Sequence, residues 1–180
     1  MKNQLVAPLV AAILMFLWQF LSWTMLNVHG KEHQYTDKQD AIMEFLGQQQ
    51  LPTGSYMMPQ PSPESTPEEQ QAFYESGMGK PWAMVEYHAS TDMSMTMNMI
   101  RGFLVDLAAA FLLVWLLSNF ANLTFGRAIL ASWAVGAAAY LTIPYLNSIW
   151  YERNTVGYIV DVVVQWGMVG VWLGWYMRRR

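Results

Sequence analysis

Val156-Gly-Tyr-Ile-Val-Asp161-Val-Val-Val-Gln165-Trp-Gly-Met-Val-Gly170-Val-Trp-Leu-Gly174-Trp-Tyr-Met177, followed at once by Arg178-Arg179-Arg180, decides the fold. A hydrocarbon layer about 30 Å thick needs roughly 20 apolar helical residues to cross it, and this run supplies them with one charged side chain inside. Three more stretches reach the same length: Leu5–Leu26, Arg101–Phe120 and Phe125–Leu146. Four crossings are therefore expected. The first run follows Lys2 and invites a secretory-signal reading. It exceeds 20 residues, however, and Trp23-Thr-Met-Leu-Asn-Val28 lacks the small-x-small cleavage pattern, so it reads as a retained anchor.

Working outward, the chain of 180 residues is 54% hydrophobic and 13% charged, which fits a small membrane bundle with the lipid bilayer as its first partner. A net charge of −3 gives no basic footprint, so no nucleic acid is expected as a partner. The absence of cysteine excludes a disulfide scaffold, a thiolate zinc site, an iron–sulfur cluster and a cysteine nucleophile.

Lys and Arg close to span ends set direction, and the Arg178–Arg180 cluster marks the C-terminus as cytoplasmic. Four spans then put Lys2 inside as well, with Arg127 on the inner turn between spans two and three. Residues 28–99 fall outside and carry ten acidic residues against three lysines. Trp23, Trp82, Trp133, Trp150, Tyr151, Trp172, Trp175 and Tyr176 fall mostly near span ends, where amphipathic rings prefer to sit. The expected fold is an all-α membrane protein of four transmembrane helices with a small α+β extracytoplasmic cap between helices one and two. Its divisions are residues 1–27, the cap 28–99, and 100–180 with the basic tail.

Within the cap, Thr36-Asp-Lys-Gln39 has the form of a capping box, and Ile42, Phe45 and Leu46 behind it predict a helix near Asp37–Gln49. Thr66-Pro67-Glu68-Glu69 is a second start signal, with Gly77 or Gly79 as the stop. Ser55–Met58 and Trp82–His88 read as strands able to pair across that helix, and Pro59–Pro63 as a loop. Thr91–Asn98 should run straight into the second span. No internal repeat or inverted duplication is seen.

Counting about 1.5 Å per residue from the outer ends puts Asp106 on span two and Asp161 on span four at one level, about 8 Å down. Gln19, Tyr140 and Gln165 fall within about a turn of that layer. Two acids at one depth disfavour simultaneous ionisation, which suits a proton- or cation-linked transporter or channel subunit. The competing reading is structural: Arg101 and Arg153 neutralise the acids as ion-pair partners while Tyr140 and Gln165 cap them as interhelical glue. Ala128, Ser132 and Gly136, and the Gly170–Gly174 pair, mark close helix approach, either inside the bundle or in a homo-oligomer or a complex with other membrane proteins. Pro144 should bend the third span beside Asn147.

Two patterns raise metals. His29-Gly-Lys-Glu32-His33 satisfies the H-x-x-E-H spacing that puts two histidines on one helical face around zinc, with His88, Asp92 or Glu86 as third-ligand candidates. Against it stands an interfacial turn with solvated histidines. Met93, Met95, Met97 and Met99, with His88 upstream, resemble thioether tracts suited to copper(I). On a helix the same methionines form two adjacent packing stripes, which is the favoured reading. Copper or zinc are the only cofactors these residues suggest.

Asn147-Ser-Ile-Trp-Tyr-Glu-Arg153, Gly157-Tyr158, Trp166-Gly167-Met168 and Gly170 through Trp175 resemble the last hairpin of a family of small, uncharacterised four-span bacterial inner-membrane proteins. The resemblance covers roughly residues 100–177. It implies a helical bundle and an inner-membrane location, and it carries no catalytic residue. Nucleophile and phosphate-loop signatures are absent, so the expected role is non-enzymatic: an accessory or assembly subunit whose cap contacts partners. Proton or cation linkage through Asp106 and Asp161, and metal handling by the His and Met residues, are the two rivals.

Overall fold

The computed structural model describes residues 2–178, with side chains from Leu5 onward. Arg179, Arg180 and the Lys2 side chain, which bear on orientation, lie outside the described residues. Four helical segments are long and apolar enough to cross a membrane: Leu5–Met25, Met95–Ser118, Phe125–Tyr151 and Val156–Met177. All four expected spans are thus present as helices.

The first span is helix α1 (Lys2–Phe20) continued by a wide, π-helical turn over Leu21–Met25. Helices α2 (Gln39–Gln48) and α3 (Pro67–Gly77) and strands β1 (Gly54–Met58) and β2 (Ala83–Tyr87) follow. The second span, α4 (Met95–Ser118), starts six residues before the expected Arg101. Ser94 is the reason: its hydroxyl accepts the Met97 N–H at 3.3 Å and caps the helix there. Thr124 does the same for α5 (Phe125–Tyr140), accepting from Arg127. A wide turn over Leu141–Tyr145 then carries the chain into α6 (Leu146–Tyr151). Pro144 lies in that turn, where the missing N–H is absorbed without ending the span. Glu152, at φ 49°, reverses the chain into α7 (Val156–Met177).

Residues 2–34 and 93–178 form one compact unit. In it α1 packs between α4 and α7, and α7 packs along α5. The core consists of Ala7, Ala11, Ala12 and Met15 from α1, Ala110, Leu113 and Leu117 from α4, Ala128 from α5, and Val169 and Leu173 from α7. So many alanines let backbones approach closely, which is how helices associate where lipid is as apolar as their side chains. Leu104, Val105, Leu112 and Trp115 on α4 point outward, as a lipid-facing surface requires.

The small-residue pattern is spent inside the bundle. A methyl on Gly170 would lie 2.8 Å from Ile129 Cα, and one on Gly174 would lie 3.0 Å from the Phe125 carbonyl oxygen. Trp133 donates its ring N–H to the Val163 carbonyl at 2.9 Å, and Trp172 donates to the Ala7 carbonyl at 3.0 Å.

Residues 35–92 form the second compact unit. β1 and β2 pair antiparallel, Tyr56 opposite Val85, with α3 between them in sequence. At α3 the expected capping box is complete: Thr66 accepts the Glu69 N–H and Glu69 accepts the Thr66 N–H, with Pro67 opening the helix. The box expected at Thr36 does not form. The Thr36 hydroxyl accepts the Lys38 N–H, two residues on, so the helix begins at Gln39 instead of Asp37.

Candidate functional site

The site lies where α1 ends. Trp18 and Ser22, four residues apart on one face, both donate to Oδ1 of Asp161 on α7, each at 2.8 Å. From Leu21 the helix widens, with Ser22 inside the wide turn, a feature that recurs at functional sites. The Leu26 N–H closes it on the Leu21 carbonyl at 2.9 Å. Asn27 then takes a left-handed conformation at φ 50°, which asparagine tolerates better than most residues, and folds the chain back over the bundle end.

That reversal delivers His29, 3% exposed, onto Asp161. Its Nε2 lies 2.9 Å from Asp161 Oδ2, and its Nδ1 faces Glu32 Oε1 in a short contact. The ring is stacked on Trp23 with centroids 3.8 Å apart and planes 3° apart, and it meets the edge of Tyr158 at 5.1 Å. Gly157 completes the seat: a methyl there would come within 2.6 Å of His29 Nδ1 and 3.1 Å of Glu32 Oε1.

Hydrogen-bond counting fixes the electrostatics. Two contacts between an imidazole and two carboxyl groups need two protons, one per contact, so the Glu32–His29–Asp161 chain is complete only when it holds both, at net charge −1. The arrangement links a carboxyl group on the turn to one on α7 through a single imidazole ring.

Asp106 on α4 is a separate feature. Its Oδ1 accepts the Gln19 side-chain N–H at 2.9 Å, while its Oδ2 is buried without a partner among the described residues. Trp18 and Gln19 are adjacent on α1 and so point about 100° apart, one to α7 and the other to α4. Both acids lie beside the same turn of α1, on different faces of it. Each has its own donors.

Other expected partners go elsewhere. Tyr140 pairs its hydroxyl with that of Thr155 at 3.0 Å and does not cap an acid. Gln165 is buried on α7, one turn below Asp161. Arg101 is exposed, and Arg153 lies over the Tyr151 ring at 5.8 Å. The side-chain partner of Asp161 from outside the spans is His29, which depth counting missed because it sits outside the apolar run. The only sequence signal for it was the H-x-x-E-H spacing, read for different chemistry.

The H-x-x-E-H spacing falls on a turn. Residues 28–33 are a turn, not a helix, so His29 and His33 do not share a helical face. His29 points its two nitrogens at carboxylates on opposite edges of its ring, Glu32 binds His29 directly, and His33 is exposed with its ring 6.1 Å from Trp23. Among the described residues no group of three or more His, Asp and Glu side chains is arranged to hold a metal.

The methionine stripes also change. Met93 precedes the Ser94 cap, so only Met95 and Met99 form a helical pair, and all four thioethers including Met97 are exposed. His88 belongs to the second unit, just after β2.

Comparison with family models, curated proteins and solved structures yields no match to this chain. The roles of its residues therefore rest on side-chain geometry.

Proposed function

We propose that the chain is a non-enzymatic, multi-pass protein of a bacterial inner membrane that binds and transfers protons through Glu32, His29 and Asp161, as a proton-linked transporter or channel subunit. The observation that carries this is His29, buried at the end of a span with both ring nitrogens on carboxylates from two separate segments. An ionisable group at membrane depth is expensive to keep, and a titratable chain of three is the form a proton relay takes. In this reading both termini are cytoplasmic and residues 28–99 are extracytoplasmic, so Glu32 and His29 exchange protons with the outer side. The test is proton flux into liposomes carrying the purified protein, driven by a pH difference with and without a membrane potential. Wild-type protein should conduct above empty liposomes, and Asp161→Asn and His29→Gln should each bring the rate to background. Flux equal in all three would remove the proposal.

A second reading is favoured by the separate unit Tyr35–Asp92. It exposes Tyr35, Phe45, Tyr74 and Trp82 within a strongly acidic stretch, a composition suited to contact with another protein. This supports an accessory or assembly role, in which the bundle anchors the unit at the membrane. Deletion of 35–92 should then abolish partner recovery by crosslinking while leaving the membrane fraction unchanged.

A further inference from the structure

The proton chain leaves one buried acid unused. Asp106 is 5% exposed, set on α4 near Ala110, with Met15 of α1 one turn from its partner Gln19. Among the described residues, Oδ1 has a single neutral donor, the Gln19 amide, and Oδ2 has no donor. A bare carboxylate oxygen in an apolar seam costs several kcal/mol, so the position is maintained only if something positive completes it. The charges that might do so are engaged elsewhere or face outward: both ring nitrogens of His29 belong to Glu32 and Asp161, and Arg101, five residues earlier on α4, is exposed.

We propose that Asp106 and Gln19 form a second binding site, distinct from the His29 chain, that takes one monovalent cation, the proton or an alkali ion, at Asp106 Oδ2. The donor set decides the class. A divalent ion such as calcium wants six to eight oxygens and magnesium a near-ideal octahedron. Here one carboxylate oxygen is open, and the Gln19 carbonyl is the second oxygen on the pair. That is sufficient for a proton, which needs one oxygen, and sparse for an alkali ion, so the proton is the favoured occupant. The site requires neither Glu32 nor His29 and stands whether or not the first site conducts.

The experiment uses the full chain in lipid nanodiscs, read by the infrared carbonyl absorption of carboxylic acids and by thermal unfolding, across pH and then across sodium, lithium and potassium at fixed pH. With a proton bound, wild-type protein shows a carboxylic-acid band that Asp106→Asn removes and His29→Gln keeps. With an alkali ion bound, the unfolding temperature rises with one of the three salts in wild-type protein and not in Asp106→Asn. If Asp106→Asn fails to fold, Gln19→Leu serves: loss of its hydrogen bond must shift the band, or change the ion concentration at half effect. Asp106→Asn matching wild type in every titration, or a band and ion response unmoved by Gln19→Leu, would overturn the site. So would a band lost in His29→Gln but kept in Asp106→Asn.

Discussion

His29 is held from four sides, by Asp161, Glu32, Trp23 and the space over Gly157, and each contact makes a separate demand on the sequence. Removing one partner of a buried charge pair leaves the other uncompensated, typically at about 3–5 kcal/mol, whereas replacing both with apolar groups of similar size is far milder. Asp161→Ala should therefore destabilise the bundle by about that amount. The His29→Leu/Asp161→Leu double variant should cost less than the sum of its single variants, measured by reversible unfolding in mixed micelles. Additive costs would deny the coupling. Gly157→Ala should mimic loss of Asp161, because its methyl would enter the His29 ring. What the sequence disclosed at this scale was that Asp106 and Asp161 lie level with one another, beside one turn of α1. It hid their partners, because the return of His29 depends on a wide helical turn and a left-handed Asn27 that hydropathy does not encode.

Among the elements, the seam between α5 and α7 is the most sharply specified. Gly170→Ala would push a methyl within 2.8 Å of the Ile129 backbone, which cannot swing aside as a side-chain tip can, so a loss of about 1–3 kcal/mol is expected. Gly102→Ala on α4 meets open space and should gain about 0.5–1 kcal/mol from helix propensity alone. Equal effects of the two on unfolding would mean that the seam is not packed as described.

In the second unit, Thr66→Ala should cost about 1 kcal/mol through loss of the α3 cap, while Thr36→Ala should be close to neutral for α2. The two threonines look alike in sequence. They differ because Thr36 spends its hydroxyl on Lys38, two residues on, and only Thr66 is followed by a proline that presets the first helical turn. The four spans were legible because length and hydropathy suffice for them. The start of α4 at Ser94 was not, since a single hydroxyl decided it.

At the scale of the whole molecule, four apolar helices make a bundle whose outward surface is greasy and whose interior holds few polar groups, one of them the incompletely matched Asp106. The proposed orientation is testable without background labelling, because the chain has no cysteine. Ser62→Cys should react with an impermeant maleimide added to intact cells, and Asn122→Cys, on the turn between α4 and α5, should react only after lysis. The reverse pattern would invert the topology.

The central claim is that His29 bridges Glu32 and Asp161 through two proton-bearing contacts at the membrane boundary. Nitrogen NMR of ring-labelled histidine, recorded on the full chain in bilayers, tests it most directly. Both His29 nitrogens should be hydrogen-bonded, Nδ1 shifting in Glu32→Gln and Nε2 in Asp161→Asn. A His29 ring with one bare nitrogen, unmoved by either substitution, would contradict the account.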